Sequence, residues 1–334
     1  MYQEMKTPLF TLTNLNHVAV NSWLPLCRVT DVLDNSVHNV QLFDMSIDVV
    51  KNVKNYEVFD DRCPHRGGKL EHGFVDRGCV HCPYHGMEFD LDDGKCKGFL
   101  GDYDTKKLKA KLNKHKTLLF DSLVWSYLGE GEPPQFLADS LQVNNCDEEE
   151  PTFSSIYGHR DVNCNLFEVE ENLLDNIHIS VVHSWGNPES LPESTTKSIR
   201  GNYFSYKHGK NSLAKWLDNT NNMVTVYNGF AEPLSTLSRV CFGNGLTKAV
   251  RVHLLPLGDN KTRMFWGLHR NFMKSSWMDA FFRFLMEKTI DEDKAILESL
   301  VNTGNEQSLT EFDWIIVQYR KKVRSYLGVE DVTD

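Results

Sequence analysis

The sequence predicts an α+β fold in two parts, a small β-rich domain followed by a larger domain of strands and long helices. Three observations carry that expectation. Phe43, Met45, Ile47 and Val49 alternate with polar neighbours, the period of a half-buried strand. The second half offers several strand candidates and then a long helical stretch, without the strand–helix–strand alternation of a parallel sheet. Between the halves lies a polar stretch with Pro134, the acidic run Asp147 to Glu150 and Pro151, the composition of an exposed linker. The expected boundaries are therefore 18–129 for the first domain, 130–151 for the linker and 152–334 for the second domain. A chain of 334 residues is long enough for two domains that each bury a core.

In chain order, the alternating stretch around residues 43–49 is the first strand candidate. LLFDSLVWSYLGEGEPP, residues 118–134, is an apolar strand-like run closed by a turn containing Gly and Pro. EVEENLLDNIHISVVH, residues 168–183, reads as helical. NMVTVYNGF, KAVRVHLLPLG and TRMFWGLHRNF read as strands, and a long helix is expected from Ser275 to Thr303. No repeat of solenoid period is present.

The formal net charge of -10 argues against the basic field that nucleic acid or an anionic membrane requires. No apolar run approaches a membrane span, and MYQEMKTPLFTLTN lacks the basic and apolar regions of a signal peptide, so a cytoplasmic location is expected, with no membrane association. The eight cysteines are scattered rather than dense, which suits a reducing compartment.

One stretch carries chemistry at once. In DRCPHRGGKLEHGFVDRGCVHCPYHGMEFD, Cys63 and His65 form a pair and Cys82 and His85 form a second, with sixteen residues between His65 and Cys82. Thiolate and imidazole at such spacing hold zinc or iron. Zinc fingers usually place two cysteines together and two histidines together. Two loops that each give one thiolate and one imidazole suit a binuclear cluster, with both sulfurs on one iron and both nitrogens on the other. Gly67, Gly68 and Gly86 give the loops backbone freedom. Cys79, His72 and His81 break the spacing and read as surface or packing residues.

A second constellation lies in EENLLDNIHISVVHSW, where Asn172, Asp175, His178 and His183 follow N-x2-D-x2-H-x4-H. Asp175 and His178 share a helical face, but a step of five residues turns roughly 140° around an ideal helix. Both imidazoles meet one ion only if the helix widens or ends before His183, and Gly186 and Pro188 place a stop nearby. Two such histidines are, taken alone, more often structural than metal-binding. Oxygen-activating non-heme iron also needs a carboxylate. In FFRFLMEKTIDEDKAILESL, Asp293 falls on the apolar arc of Phe282, Met286, Ile290, Ile296, Leu297 and Leu300, whereas Asp291 and Glu292 read as a solvated face. A carboxylate on a buried stripe is costly unless paired or metal-bound.

The CPH and CPYHG motifs resemble the Rieske 2Fe-2S family. Respiratory-complex Rieske proteins carry an extra cysteine beside each ligand pair; Gly67 or Gly68 and Tyr84 stand there instead, which disfavours that branch. With the second constellation, nearly the whole chain resembles the Rieske non-heme iron oxygenases of the dicamba and vanillate demethylase type. The resemblance implies a Rieske domain followed by a helix-grip (START-like) antiparallel-sheet catalytic domain. It implies Cys63, His65, Cys82 and His85 as ligands of a [2Fe-2S] cluster, and His178, His183 and Asp293 as ligands of a mononuclear Fe(II). Asp175 corresponds to the aspartate that bridges the cluster of one subunit to the iron of the next, and Asn172 to a residue near the iron, with helix capping or packing the equal alternative.

The resemblance further implies a terminal oxygenase that uses O2 to hydroxylate or demethylate a small-molecule organic substrate. It implies a homotrimer, and electrons from a ferredoxin or a flavin-dependent reductase, because no dinucleotide-binding glycine fingerprint is present. Lys106, Lys107, Lys109, Lys111, Lys114 and Lys116 form a basic run that either faces solvent or attracts an acidic electron donor. His253 and His269 read as packing or pocket residues. Two competing classes remain, a Rieske-type electron-transfer protein without oxygenase activity and a zinc-stabilised binding module. The absence of a terminal anchor disfavours the sterol and chlorophyll-breakdown branches.

Overall fold

The computed structural model describes residues 12–53, 55–99, 108–143, 153–207, 209, 223–231, 233–242, 245–300 and 310–328. It divides into two compact units, Ala19–Pro134 and a second formed by Gln135–Asp334 with the N-terminal residues through Val18. The division falls inside the stretch read as a linker, whose acidic run lies outside the described residues. Helix α1 is Leu12–Asn21.

The first unit is almost wholly β. Strands β1 (Trp23–Arg28), β2 (Val37–Leu42), β3 (Met45–Asn52), β4 (Asn55–Asp60), β5 (Phe74–Asp76), β6 (Cys79–His81), β7 (Glu88–Asp90), β8 (Cys96–Gly98), β9 (Lys114–Phe120) and β10 (Leu123–Tyr127) form two antiparallel sheets. One has the order β1-β10-β9-β4-β3-β2, the other β5-β6-β7-β8. The alternation expected at 43–49 is only partly realised. Phe43 sits at φ 54° in the β2–β3 turn, and Asp48 is buried beside Val49 and Val50. The run LLFDSLVWSY is a hairpin rather than one strand. Asp121 and Ser122 both take positive φ, 54° and 61°, the turn geometry that matches strand twist.

The second unit is built on a seven-stranded antiparallel sheet, ordered β11-β17-β16-β15-β14-β13-β12. Its strands are β11 (Ser154–Val162), β12 (Glu193–Ser198), β13 (Gly201–Lys207), β14 (Met223–Ala231), β15 (Ser235–Cys241), β16 (Thr247–Gly258) and β17 (Lys261–Arg270). The helices are α2 (Leu166–Leu174), α3 (His178–Val181), α4 (Ser276–Leu297) and α5 (Trp314–Tyr326). One sheet face packs on α4, with Arg283 over the Trp266 ring and Arg270 over Phe282. The other face meets the segment after the domain break: Leu141 packs with Ala231, Leu237 and Ala249, and Arg239 and Arg251 donate to the Gln142 and Leu141 carbonyls. The first half of the expected linker is thus part of the second core. Among the described residues no helix is long and apolar enough to cross a membrane.

Candidate metal centres

The paired Cys/His loops are the same turn built twice. Gly67 N–H donates to the Cys63 carbonyl and Gly86 N–H to the Cys82 carbonyl, closing each loop after four residues. Both glycines sit in the left-handed region, at φ 70° and 68°, which a side chain would strain. Cys63 and Cys82 are buried in the core with Leu70, Val80, Met87 and Phe89, while His65 is exposed and His85 half-buried. The two imidazole rings lie 4.7 Å apart between centroids. Sulfur donors inside and nitrogen donors outside face one another across the loops. A Cβ on Gly68 would stand 3.2 Å from Tyr84 Cβ and 3.6 Å from Cys82 Sγ, so the loops close against each other only with hydrogen there.

A buried carboxylate network braces the first loop from behind. Asp61 Oδ1 accepts from the backbone N–H groups of Leu70 (2.6 Å) and Glu71 (2.9 Å), and Oδ2 accepts from Ser46 Oγ (2.9 Å). Asp48 adjoins it and accepts from Asn39 Nδ2 at 2.8 Å. Burial, with the charge of Asp61 adding to it, pushes the Asp48 pKa up to about 8. Burial likewise raises the Cys63 thiol to about 11, a proton that metal binding would displace.

In the second unit, α2 ends at Leu174 and Asp175 takes an extended conformation. Asp175 and His178 therefore do not share one helical face, contrary to the sequence reading. Asp175 instead starts the next turn, its Oδ1 accepting from Ile177 N–H at 2.7 Å and His178 N–H at 3.4 Å. Helix α3 then stops at Val181, before His183, as the five-residue step requires. The two imidazoles meet with ring centroids 5.2 Å apart. His178 Nε2 and His183 Nε2 converge on Asp293 Oδ1, at 3.6 and 3.7 Å. One donor atom from each of the three residues falls within 4.8 Å of the others.

Burial lowers the pKa of both histidines, His183 to about 3 with help from the neighbouring His178 and Lys248 charges. Burial and the charge of Glu292 raise Asp293 to about 7. Neutral imidazole is the form that ligates metal. Asp293 Oδ1 is buried without a hydrogen-bond partner, the orphan that a cation would satisfy.

Helix α4 buries Phe282, Met286, Ile290, Asp293 and Leu297, as expected, but Ile296 and Leu300 are 43% and 50% exposed and leave the arc. Asp291 is solvated and pairs with Arg160 at 2.9 Å. Glu292 departs from its expected role: it turns inward, its Oε2 3.2 Å from His183 Nδ1. It fixes the ring so that Nε2 points at Asp293, the outer contact that metal-binding histidines usually have. Helical periodicity gave no signal for Glu292; its place depends on the loop that brings His183 alongside.

The Asp175 side chain is one-third exposed, with Oδ2 3.9 Å from His178 Nδ1. Asn172 lies in the last turn of α2 with its carboxamide oxygen buried and unpartnered. His72 is exposed, His81 stacks on Phe74, and His253 and His269 hydrogen-bond Ser235 and Ser155. In the basic run, Lys109 and Lys111 are exposed, but Lys114 is tied to Glu57 at 2.8 Å. Lys106 and Lys107 lie outside the described residues.

Comparison with known proteins matches residues 22–108 to the Rieske [2Fe-2S] domain and residues 162–327 to the vanillate O-demethylase oxygenase C-terminal domain. The chain belongs to the Rieske non-heme iron oxygenases. It is 25% identical to chlorophyllide a oxygenase of Arabidopsis thaliana over 90% of its own length and 56% of that protein's. It is 24% identical to the oxygenase component of dicamba O-demethylase of Stenotrophomonas maltophilia, over 72% and 75% of the two chains. Pheophorbide a oxygenase of Oryza sativa is 31% identical over 48% of this chain and 32% of its own.

The fold is that of dicamba monooxygenase bound to 3,6-dichlorosalicylic acid, with TM-score 0.76 and 19% identity over 94% and 99% of the chains. Pseudomonas putida NdmA with caffeine gives 0.73 and 20% over 93% and 92%. A Rieske oxygenase of this type carries a [2Fe-2S] cluster and a mononuclear ferrous ion. The donors fit both groups: two buried thiols with two facing imidazoles in one unit, two imidazoles with an orphaned carboxylate in the other.

Proposed function

We propose that the chain is the terminal oxygenase component of a multicomponent system, taking electrons from a separate ferredoxin or flavin-dependent reductase and hydroxylating or oxidatively demethylating a small organic substrate with O2. Cys63, His65, Cys82 and His85 hold the cluster, and His178, His183 and Asp293 hold the ferrous ion. Bound there, the cluster supplies single electrons and the iron supplies the reduction of dioxygen.

The residues position and insulate these groups. The buried Cys63 and Cys82 side would shield the cluster from water, and the more accessible His65 and His85 side would be the one open to an electron partner. Asp175 Oδ1 is occupied by backbone N–H groups, and Oδ2 lies 3.9 Å from His178 Nδ1, which has no hydrogen-bond partner. In a head-to-tail homotrimer Asp175 would stand between His85 of the partner subunit and His178, bridging the two sites. Glu292 holds His183 in the matching tautomer. Attack on a methyl carried by oxygen or nitrogen gives a product that collapses, so the net result is demethylation. A reducing compartment such as the cytoplasm suits the seven described cysteines, which form no disulfide with one another.

The observation that carries this reading is the buried His178, His183 and Asp293 cluster in the same chain as a Rieske domain. The test is anaerobic reduction of iron-loaded protein followed by single turnover with labelled O2 across candidate substrates. We expect label in a product, and an Asp293→Ala variant that keeps the Rieske paramagnetic signal but incorporates none. Equal incorporation by that variant would sink the assignment. Wild type that is reduced normally yet never incorporates label would favour the electron-transfer class.

A further inference from the structure

Lys248 is half-buried on β16, on the sheet face that α4 covers. Its ammonium stands 5.8 Å from the centre of the Trp185 indole, and Trp185 stacks on His183 with ring centres 4.8 Å apart. Trp185 also leans on α4 through a 3.4 Å contact from Nε1 to Thr289 Oγ1. The ammonium is thus one indole ring away from the mononuclear metal centre.

Its cross-strand neighbour Arg270 shows how a cation is matched at this end of the sheet. The Arg270 guanidinium donates to the Asp279 carboxylate and the Met273 carbonyl and lies over the Phe282 ring. Lys248 makes no hydrogen bond and no ion pair among the described residues; Asp279 is taken by Arg270, and Glu292 and Asp293 face the histidines. Burial pushes the lysine pKa down, and no carboxylate holds it up. A cation near the outer limit of about 6 Å from a ring centre gains too little to replace its lost hydration. An unmatched, desolvated ammonium on a half-buried side chain beside a metal centre lacks an anion.

We propose that Lys248 anchors the carboxylate of an organic acid substrate, with Trp185 as the wall between the anchor and the metal centre. The assignment deepens the oxygenase reading and rests on it for the fate of the other end of the molecule. A carboxylate placed there makes a charge-assisted hydrogen bond where water competes poorly. The neutral carboxamide of the same shape forgoes it.

The test uses the cluster- and iron-loaded protein with benzoate and 2-naphthoate, each titrated against its own carboxamide by calorimetry. Wild type should prefer at least one acid over its amide by tenfold or more, Lys248→Arg should keep much of that preference, and Lys248→Met should erase it. The Rieske signal and iron content should stay unchanged in Lys248→Met. Its thermal midpoint should equal or exceed wild type, because an unmatched ammonium is removed. A preference that survives in Lys248→Met overturns the proposal, as does wild type that binds neither acid better than its amide. A marked drop in thermal midpoint with preference intact would make Lys248 a structural contact of Trp185. Carboxylate preference without label incorporation from O2 would instead leave the anchor standing and remove the oxygenase reading.

Discussion

Arg320 on α5 meets Glu171 on α2 through two parallel hydrogen bonds, Nε to Oε1 and Nη2 to Oε2, both 2.6 Å, with each side chain nearly buried. Helix α2 leads directly into Asp175 and His178, so this pair clamps the entry to the mononuclear centre. Replacing Arg320 with Met leaves a carboxylate buried without its partner. Breaking a buried pair in this way costs roughly 3–5 kcal/mol, which is roughly 150- to 5,000-fold in a local opening equilibrium. Hydrogen exchange of the α2 amides at fixed pH reads that quantity up to the stability of the whole unit.

The sign with pH follows from Glu171. Burial raises its pKa even against the pull of Arg320, and removing the cation raises it further. The folded state then holds a proton that the unfolded state has released above the ordinary Glu range. Stability of the variant therefore falls as pH rises, and its deficit relative to wild type should be smaller at acid pH than at alkaline pH. The double variant Glu171→Met with Arg320→Met should recover most of the loss, because matched apolar side chains leave nothing uncompensated. Exchange in Arg320→Met within tenfold of wild type, or a double variant worse than the single, would refute the clamp.

Asp48, with a folded pKa of about 8 against 3.8, holds its proton when folded over a range where the unfolded chain has lost it. The first unit should lose stability as pH rises through that window, by on the order of 6 kcal/mol at most. Asp48→Asn should flatten the slope of thermal midpoint against pH, and an unchanged slope would show that Asp48 does not titrate there. Gly86→Ala, at φ 68°, should cost about 1–2 kcal/mol and speed the loss of visible cluster absorbance. Gly78→Ala, at φ 72° with nothing within 4 Å, should cost a similar amount and leave cluster lifetime alone. Charge reversal of Lys109 and Lys111 should slow reduction of the cluster at low salt and converge with wild type at high salt; equal rates throughout would leave these lysines as a solvated face.

What the sequence revealed, and what it hid, follows the range of the interactions involved. The Cys/His loops were legible because each pair is held by a turn of five residues, closed by a glycine whose positive φ is written into the local sequence. Asp293 was legible because a carboxylate on an apolar helical stripe is an anomaly at the scale of one helix. Glu292 looked solvated on the same grounds, and only the loop carrying His183, more than a hundred residues away in sequence, turns it into that ring's partner. Asp48 similarly fits the polar phase of an alternating strand until Asp61 and Asn39 from neighbouring segments enclose it. Lys248 is the extreme case. On β16 it alternates with the buried Thr247 and Ala249, yet the indole of Trp185 beside it and the capture of Asp279 by Arg270 leave a desolvated ammonium one ring away from the metal centre. Metal ligands announce themselves by local spacing, because a metal ion demands a fixed donor geometry. Groups that select the substrate come from separate strands and loops, so they become visible only when the partners they lack can be checked in space.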